Sequence, residues 1–141
     1  MTEFDLSDIE ITDDDLREIQ EAWDKRLLRL KYPYTFDLIR VLARYPKLKR
    51  TIAIDAMWRT RKDAGLPIPK AFEESVQASL QYYCRDSSEF KKRGAPDSEA
   101  LFCWPKGKGA GVWALIRENA KVWVRQNRES LPNRLLGRSH D

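Results

Sequence analysis

The stretch Leu101–Leu115, LFCWPKGKGAGVWAL, places a segment rich in glycine and lysine between two short apolar runs. The runs Leu101–Trp104 and Val112–Leu115 are aromatic and β-branched, a composition that favours strands. Their separation by a glycine-containing connection is typical of a hairpin. We therefore predict a β-hairpin with a loose tip, KGKGAG, at residues 106–111.

The same tip could in principle be a loop that binds the phosphates of a nucleotide. A phosphate-binding loop of the GxxxxGK[ST] type needs a hydroxyl residue after its lysine, but Lys108 is followed by Gly109. The dinucleotide fingerprint GxGxxG requires a third glycine at the position of Val112, and no βαβ pattern surrounds it. We therefore predict no bound cofactor.

The composition is that of a folded, soluble domain. The chain has 141 residues, of which 42% are hydrophobic, with five Trp, five Tyr and five Phe. No apolar run is long enough to span a bilayer, and the acidic start MTEFDLSDIE lacks the apolar core of a secretion signal. The two cysteines, Cys84 and Cys103, have no CxxC spacing. These features predict a cytoplasmic protein without a membrane partner.

The net charge of +4 conceals a strong asymmetry along the chain. Residues 1–24 contain ten Asp/Glu and one Arg, a net charge of −9. Residues 25–141 contain 25 Lys/Arg and 12 Asp/Glu, a net charge of +13. A body this basic favours a polyanionic partner such as nucleic acid, although basic residues also occur simply as solvated helix faces.

Apolar residues at helical spacing predict five helices. They cover residues 13–31, 36–45, 47–64, 69–84 and 116–130, with the hairpin before the last of them and a mobile polar loop at 85–98. Thr12 and Asp15 resemble a capping box at the first helix, and the predicted buried faces include Tyr45 and Ile52.

Three units make up the predicted organisation of the chain. These are an acidic mobile arm at residues 1–11, a single domain at 12–131 and a basic tail at 132–141.

Catalytic patterns are weak in this sequence. The only histidine, His140, is the second-last residue, where nothing is expected to orient it as a catalytic base. Asp86 with Glu89-Phe90-Lys91 is similar to the acidic signature of metal-dependent nucleases, but those enzymes carry its two parts on successive strands. Two Cys and one His also form a poor zinc-binding set. We therefore predict a protein without catalytic activity or bound metal, and small-nuclease activity remains a remote alternative.

Three helices followed by the hairpin carry a resemblance to a known module. The chain over residues 36–116 resembles the winged helix-turn-helix modules attached to bacterial restriction endonucleases and to some chromatin-associated proteins. The shared pattern is a helix ending in a polar D-S-x-x-F segment, an aromatic strand, a glycine-rich wing and a strand reading G-x-W-x-L. Here these parts are Asp86–Phe90, Phe102, the glycine patch and Gly111–Leu115. The implied fold is mainly α with a small β-hairpin, a winged helix-turn-helix with extra N- and C-terminal helices.

The resemblance implies a non-catalytic protein that binds double-stranded DNA, either a transcriptional regulator or the DNA-reading component of a phage or restriction system. The fourth helix would enter the major groove, presenting a polar line of side chains, and the wing would contact the phosphate backbone. Basic residues of the third and last helices would add further contacts. The predicted site residues are Lys70, Glu74, Gln77 and Gln81 on the fourth helix, Lys106, Gly107, Lys108 and Gly109 in the wing, Arg59 and Lys62 on the third helix, and Arg117 and Lys121 on the last.

Two other interpretations stay open. Winged helices also serve as adaptors between proteins, and the first predicted helix could pair with a partner or with a second copy of the chain. The exposed polar face of the fourth helix and the wing could also be ordinary solvated surface. A salt titration separates DNA binding from an apolar protein interface, because phosphate contacts weaken steeply as salt rises.

Overall fold

The fold is described by a computed structural model for residues 11–26 and 34–129. It is mainly helical, with a small antiparallel sheet of three strands. The helices are α1 (Asp13–Asp24), α2 (Thr35–Arg44), α3 (Arg50–Asp63), α4 (Phe72–Tyr82), α5 (Ser88–Lys92) and α6 (Arg117–Glu129), and the strands are β1 (Lys47–Lys49), β2 (Phe102–Cys103) and β3 (Val112–Leu115).

Helix α1 begins at the predicted capping box. The Thr12 hydroxyl accepts the Asp15 N–H, and the Asp15 carboxylate accepts the Thr12 N–H, both at 3.0 Å. The predicted end at residue 31 is wrong, because α1 ends at Asp24. Lys25 caps it and Arg26 turns into the left-handed region at a φ of 59°, which breaks the helix. The rest of the predicted helix lies outside the described residues.

A buried ion pair joins α1, α2 and α3. The Arg61 guanidinium of α3 donates to the Asp37 carboxylate of α2 at 3.0 Å and to the Gln20 side-chain oxygen of α1 at 2.6 Å. Its Nε donates to the Pro67 carbonyl at 2.8 Å, and the ring of Tyr34 lies 5.0 Å below its Cζ. Burial raises the pKa of Asp37, an effect that the nearby Arg61 charge opposes.

The third predicted helix is wrong at its start. Residues Lys47–Lys49 form β1, which pairs with β3, and α3 begins only at Arg50. A strand is favoured over a helix at these three residues because, in the strand, Leu48 faces the core while Lys47 and Lys49 stay exposed. The sheet order is β1-β3-β2, with both pairs antiparallel.

Helix α4 is shorter than the predicted 69–84, since residues 70 and 71 form a turn closed by the Phe72 N–H on the Pro69 carbonyl at 3.0 Å. Its core face is nevertheless the predicted one, as Phe72, Val76 and Leu80 are buried. Beyond α4, an isolated parallel bridge between Cys84 and Phe102 brings the chain directly onto the hairpin.

The segment 85–98 is not one long irregular loop. Ser87 caps α5 by accepting the Phe90 N–H at 3.0 Å, and the Phe90 ring is buried. A short 3-10 turn, Asp97–Glu99, follows. Arg93 ties this segment to α4, because its guanidinium lies 3.9 Å from the ring centroid of Tyr82 and donates to the Tyr82 carbonyl at 3.0 Å.

The core lies between the helices and the inner side of the hairpin. Phe36, Leu38, Leu42 and Phe102 are fully buried, and α6 adds Ala120 and Val124. Two predicted core residues are wrong, because Tyr45 is 56% exposed at the end of α2 and Ile52 is 52% exposed on α3. Helix α3 instead buries the face formed by Ala53, Met57 and Arg61.

The predicted N-terminal arm ends one residue too late. Ile11 is buried, and its carbonyl accepts the Arg40 Nε–H at 3.0 Å, so this residue belongs to the domain. The remainder of the arm and the predicted tail at 132–141 lie outside the described residues. Within the described part of the chain, no helix is both long and apolar enough to cross a membrane.

Candidate nucleic-acid interface

Helix α4 and the wing form the two walls of a cleft. Gln77 and Gln81 project from α4, and the wing supplies the glycines of KGKGAG, residues 106–111. Leu80 and Trp113 contribute apolar surface, and the cleft encloses about 150 Å³. The fold therefore brings together two parts of the predicted site that stand about thirty positions apart in the chain.

The wing tip is built from glycines in the left-handed region. Gly107 and Gly109 both have a φ of 90°, a conformation that other residues adopt only with strain. No atom lies within 4 Å of where a Cβ would stand at either position, so backbone conformation and not crowding requires glycine. Lys106 and Lys108 are exposed beside them, and a phosphate could approach this backbone closely.

The base of the wing is held in place from the end of α4. Trp104 donates its N–H to the Asp86 carboxylate at 2.8 Å, and Gly107 donates to the Trp104 carbonyl at 3.0 Å. The adjacent Ser87 hydroxyl donates to the Gln81 carbonyl at 2.5 Å. The polar residues after α4 therefore connect the end of α4 to Trp104, two residues before the wing.

A basic strand borders the other side of the wing. Lys49 pairs with Val112 at the start of β3, and the Arg50 N–H donates to the Gly111 carbonyl at 2.7 Å. Lys47 and Lys49 are exposed, and Arg50 lines the cleft opposite the glutamines. Positive charge thus runs from β1 through Arg50 toward the wing lysines, which favours an anionic ligand on this face.

The sequence did not point to Arg50 or Trp104 as site residues. The sequence predicts a helix over Lys47, Lys49 and Arg50, because a three-residue strand is too short for its alternating pattern to stand out. Trp104 was predicted to lie in the core under the wing, whereas it is only half-buried and lines the cleft. The companion prediction for Trp113 is confirmed, since that side chain is 4% exposed.

The first half of the α4 line lies apart from this cleft. Lys70 precedes α4 and lines a separate groove of about 570 Å³ with Trp58 and Ile68. Glu74 is exposed in the first turn of α4 beside Glu73. These carboxylates oppose the approach of phosphates to the start of this helix.

The remaining predicted residues lie on two other helices. Arg59 pairs with Asp55 at 3.0 Å along the surface of α3, and the Lys62 ammonium lies 5.0 Å from the ring centroid of Trp58. Arg117 and Lys121 lie on α6, which packs against α2 and the 3-10 turn. These four residues do not line the cleft between α4 and the wing.

Reactive groups near the cleft are weak candidates for chemistry. Burial raises the pKa of the Cys84 thiol to about 12, and burial also raises the pKa of Cys103. Both thiols therefore stay protonated near neutral pH and are poor nucleophiles. Among residues 11–26 and 34–129, no three or more His, Cys, Asp or Glu side chains are grouped so that they could hold a metal ion.

Comparison of the chain with protein-family models, with curated proteins and with solved structures finds no match.

Proposed function

We propose that this chain is a winged-helix protein that binds DNA through one face formed by α4, β1 and the wing. The order of elements supports this interpretation, because three helices, α2, α3 and α4, are followed by a β-hairpin with a glycine-rich tip. The extra helices α1 and α6 flank this unit. On this proposal α4 faces the major groove, while β1 and the wing lie along the phosphate backbone.

The observation that carries the proposal is the convergence of positive charge on the wing. Lys49 and Arg50 meet the base of β3, while Lys106 and Lys108 stand exposed at the wing tip. These residues come from two segments more than fifty positions apart and are brought together by the pairing of β1 with β3. Lysine and arginine arranged around a glycine-rich backbone suit phosphate oxygens, which dominate the affinity of proteins for DNA.

A mobility-shift titration tests this proposal. The full chain is titrated with random duplex DNA, single-stranded DNA and RNA at 50 and 200 mM salt. We expect binding to duplex DNA that weakens by about 10³-fold between these concentrations if some six phosphates are contacted. Failure to bind duplex DNA at 50 mM salt would overturn the proposal, and cleavage of the DNA when Mg²⁺ is added would reveal a nuclease.

The alternative function, an adaptor between proteins, has one feature in its favour. Ile52 and Trp58 are exposed on α3 at 52% and 39%, and Trp58 borders the groove of about 570 Å³. Helix α1, in contrast, buries Leu16 and Ile19 within the domain, so its apolar face is already occupied. An adaptor would therefore use α3, and its binding would change little with salt.

A further inference from the structure

The cleft between α4 and the wing has the volume of one small aromatic ring. It encloses about 150 Å³. An apolar cavity of this volume takes up benzene, so a planar aromatic ring fits this cleft, which is also open to solvent. A nucleotide base is the planar ring that a protein with a basic face would meet on a nucleic acid.

The side chains around the cleft match the chemistry of a single nucleotide. The half-buried indole of Trp104 offers an aromatic face for stacking. Gln77 and Gln81 each present an amide donor and an amide acceptor, as needed to bind the hydrogen-bonding edge of a base. Arg50 adds a guanidinium that can hold a phosphate by two parallel hydrogen bonds.

The placement of the glutamines favours a base that is unpaired. Gln77 and Gln81 are only half-exposed and share their cleft with the wing glycines. Side chains that read a paired base project from the protein surface into the groove of the duplex. The part of α4 that does project carries Glu73 and Glu74, whose charges repel phosphates. Inside this cleft the two amides are placed for a base that has left its stack.

A second cleft continues from the first. It encloses about 310 Å³, shares Gln81 and Trp104 with the first cleft, and is bordered by Lys91 and Lys108. The Asp86 carboxylate lines this second cleft and accepts the backbone N–H of Trp104. This bond helps to hold Trp104 in the wall that the two clefts share. Because Asp86 and Glu89 also line this cleft, the charges of the two lysines are balanced and the cleft carries no net positive charge.

We propose that this cleft binds one unpaired nucleotide, its base stacked on Trp104 and hydrogen-bonded by Gln77 and Gln81. The inference rests on the proposed function, since it takes the face around the wing to be the nucleic-acid interface. It adds the class of ligand, a nucleotide that is extrahelical in a duplex or part of a single strand.

Fluorescence anisotropy with the full chain tests the inference. Three labelled duplexes of equal length are compared, one fully paired, one with a single unpaired thymine and one with a single unpaired adenine. We expect each unpaired base to tighten binding about tenfold over the fully paired duplex, as one base–aromatic stack would. Single-stranded oligothymidine and oligoadenosine, added in parallel, distinguish a single-strand ligand from an extrahelical base.

Variants assign the preference to the cleft. Trp104→Leu and, separately, Gln81→Ala should abolish the preference, measured in each variant as the ratio of its affinities for the unpaired-base and the fully paired duplexes. Trp58→Leu, an exposed tryptophan on α3, is the matched control and should keep the preference. Circular dichroism verifies that each variant is folded. If Trp104→Leu does not fold, Gln81→Ala alone tests the cleft.

The two proposals fail in different ways. Equal affinity for all three duplexes in the unmodified protein would overturn the unpaired-base site while duplex binding stands. A preference that survives in both Trp104→Leu and Gln81→Ala would also overturn it. Absence of binding to any of these nucleic acids would overturn the proposed function itself.

Discussion

The carboxylate of Asp86 accepts the backbone N–H of Trp104 at 2.8 Å. This bond joins the turn after α4 to Trp104, which lies eighteen positions further along the chain and two residues before the wing. The hydroxyl of the next residue, Ser87, accepts the Phe90 N–H to cap α5, and its single hydrogen is shared between the Gln81 and Cys84 carbonyls, at 2.5 and 3.0 Å. Together these two polar residues fix the position of the wing relative to α4, so the geometry of the cleft depends on them.

Asp86→Ala should destabilise the protein by about 1–3 kcal/mol, because it removes a hydrogen bond to a charged group and leaves the Trp104 N–H without its acceptor. Asp86→Asn should cost less, since its side-chain oxygen can still accept. Urea denaturation measures both changes. Glu89→Ala, at an exposed position of the same segment, is the control and should change stability by less than about 0.5 kcal/mol. Equal stability of Asp86→Ala and the unmodified protein would contradict this role.

Two arginines of α3 each pair with an aspartate, and the two pairs should differ strongly in their contribution to stability. Arg61–Asp37 and Arg59–Asp55 both have N···O distances of 3.0 Å, but the first pair is 4% and 3% exposed and the second 73% and 57%. Arg61→Ala leaves a buried carboxylate without its partner and should cost about 3–5 kcal/mol. Arg59→Ala should cost at most about 1 kcal/mol.

Thermal and urea unfolding of the two variants test this difference. Replacing both partners of the buried pair, Arg61→Met with Asp37→Leu, should recover much of the lost stability, because no buried charge is then left unpaired. A similar cost for Arg61→Ala and Arg59→Ala would show that burial of the pair has no energetic consequence, contrary to this account.

Cys84 should resist thiol reagents in the folded protein. Burial raises its pKa to about 12, so the reactive thiolate is scarce at pH 8 and forms readily only after unfolding. Because the folded-state pKa is the higher one, stability should fall as the pH rises from about 9 toward 12. The decline should be smaller in Cys84→Ala.

Absorbance after addition of a chromogenic disulfide reagent measures thiol reactivity, with and without denaturant. Cys103→Ala isolates Cys84 for this assay. Reaction of Cys84 at the same rate in the folded and the denatured protein would contradict the burial described here.

The wing lysines should act on affinity without affecting sequence preference. Lys106→Ala combined with Lys108→Ala should weaken binding to all duplexes about equally, because phosphate contacts carry no sequence information. The slope of log affinity against log salt should fall by roughly one for each lost contact. Titrations at several salt concentrations measure it. The control is Lys25→Ala, which removes an exposed lysine paired with Glu21 at the end of α1. If the double variant binds DNA as tightly as Lys25→Ala does, the wing lysines do not contact the phosphates.

Local patterns in the sequence were sufficient for much of this fold. The capping box at Thr12, the strand Val112–Leu115 and the core face of α4 are all confirmed, because each depends on residues close together in the chain. Apolar spacing also located α2 and α6 to within about a residue at the described ends. Such features need no knowledge of distant partners.

The errors occur where distant parts of the chain decide the structure. Lys47–Lys49 is a strand only because β3 lies beside it, and Arg50 enters the cleft as a consequence. Arg61 is buried because Asp37 and Gln20 come from other helices to meet it. The charge at the wing was visible as lysine content, but its assembly around one cleft required the sheet order.

Hydrogen exchange of the full chain, with and without a saturating random duplex at 50 mM salt, tests the proposed interface most directly. The account predicts that DNA slows exchange in peptides covering Lys47–Arg50 and in peptides covering Trp104–Val112, the segment that contains the wing. Most side chains in both segments are exposed. Peptides from α1 should be unchanged, since its apolar face is buried in the domain and its start is acidic. Protection on α1 or on the exposed face of α3, with none at β1 and the wing, would contradict the account.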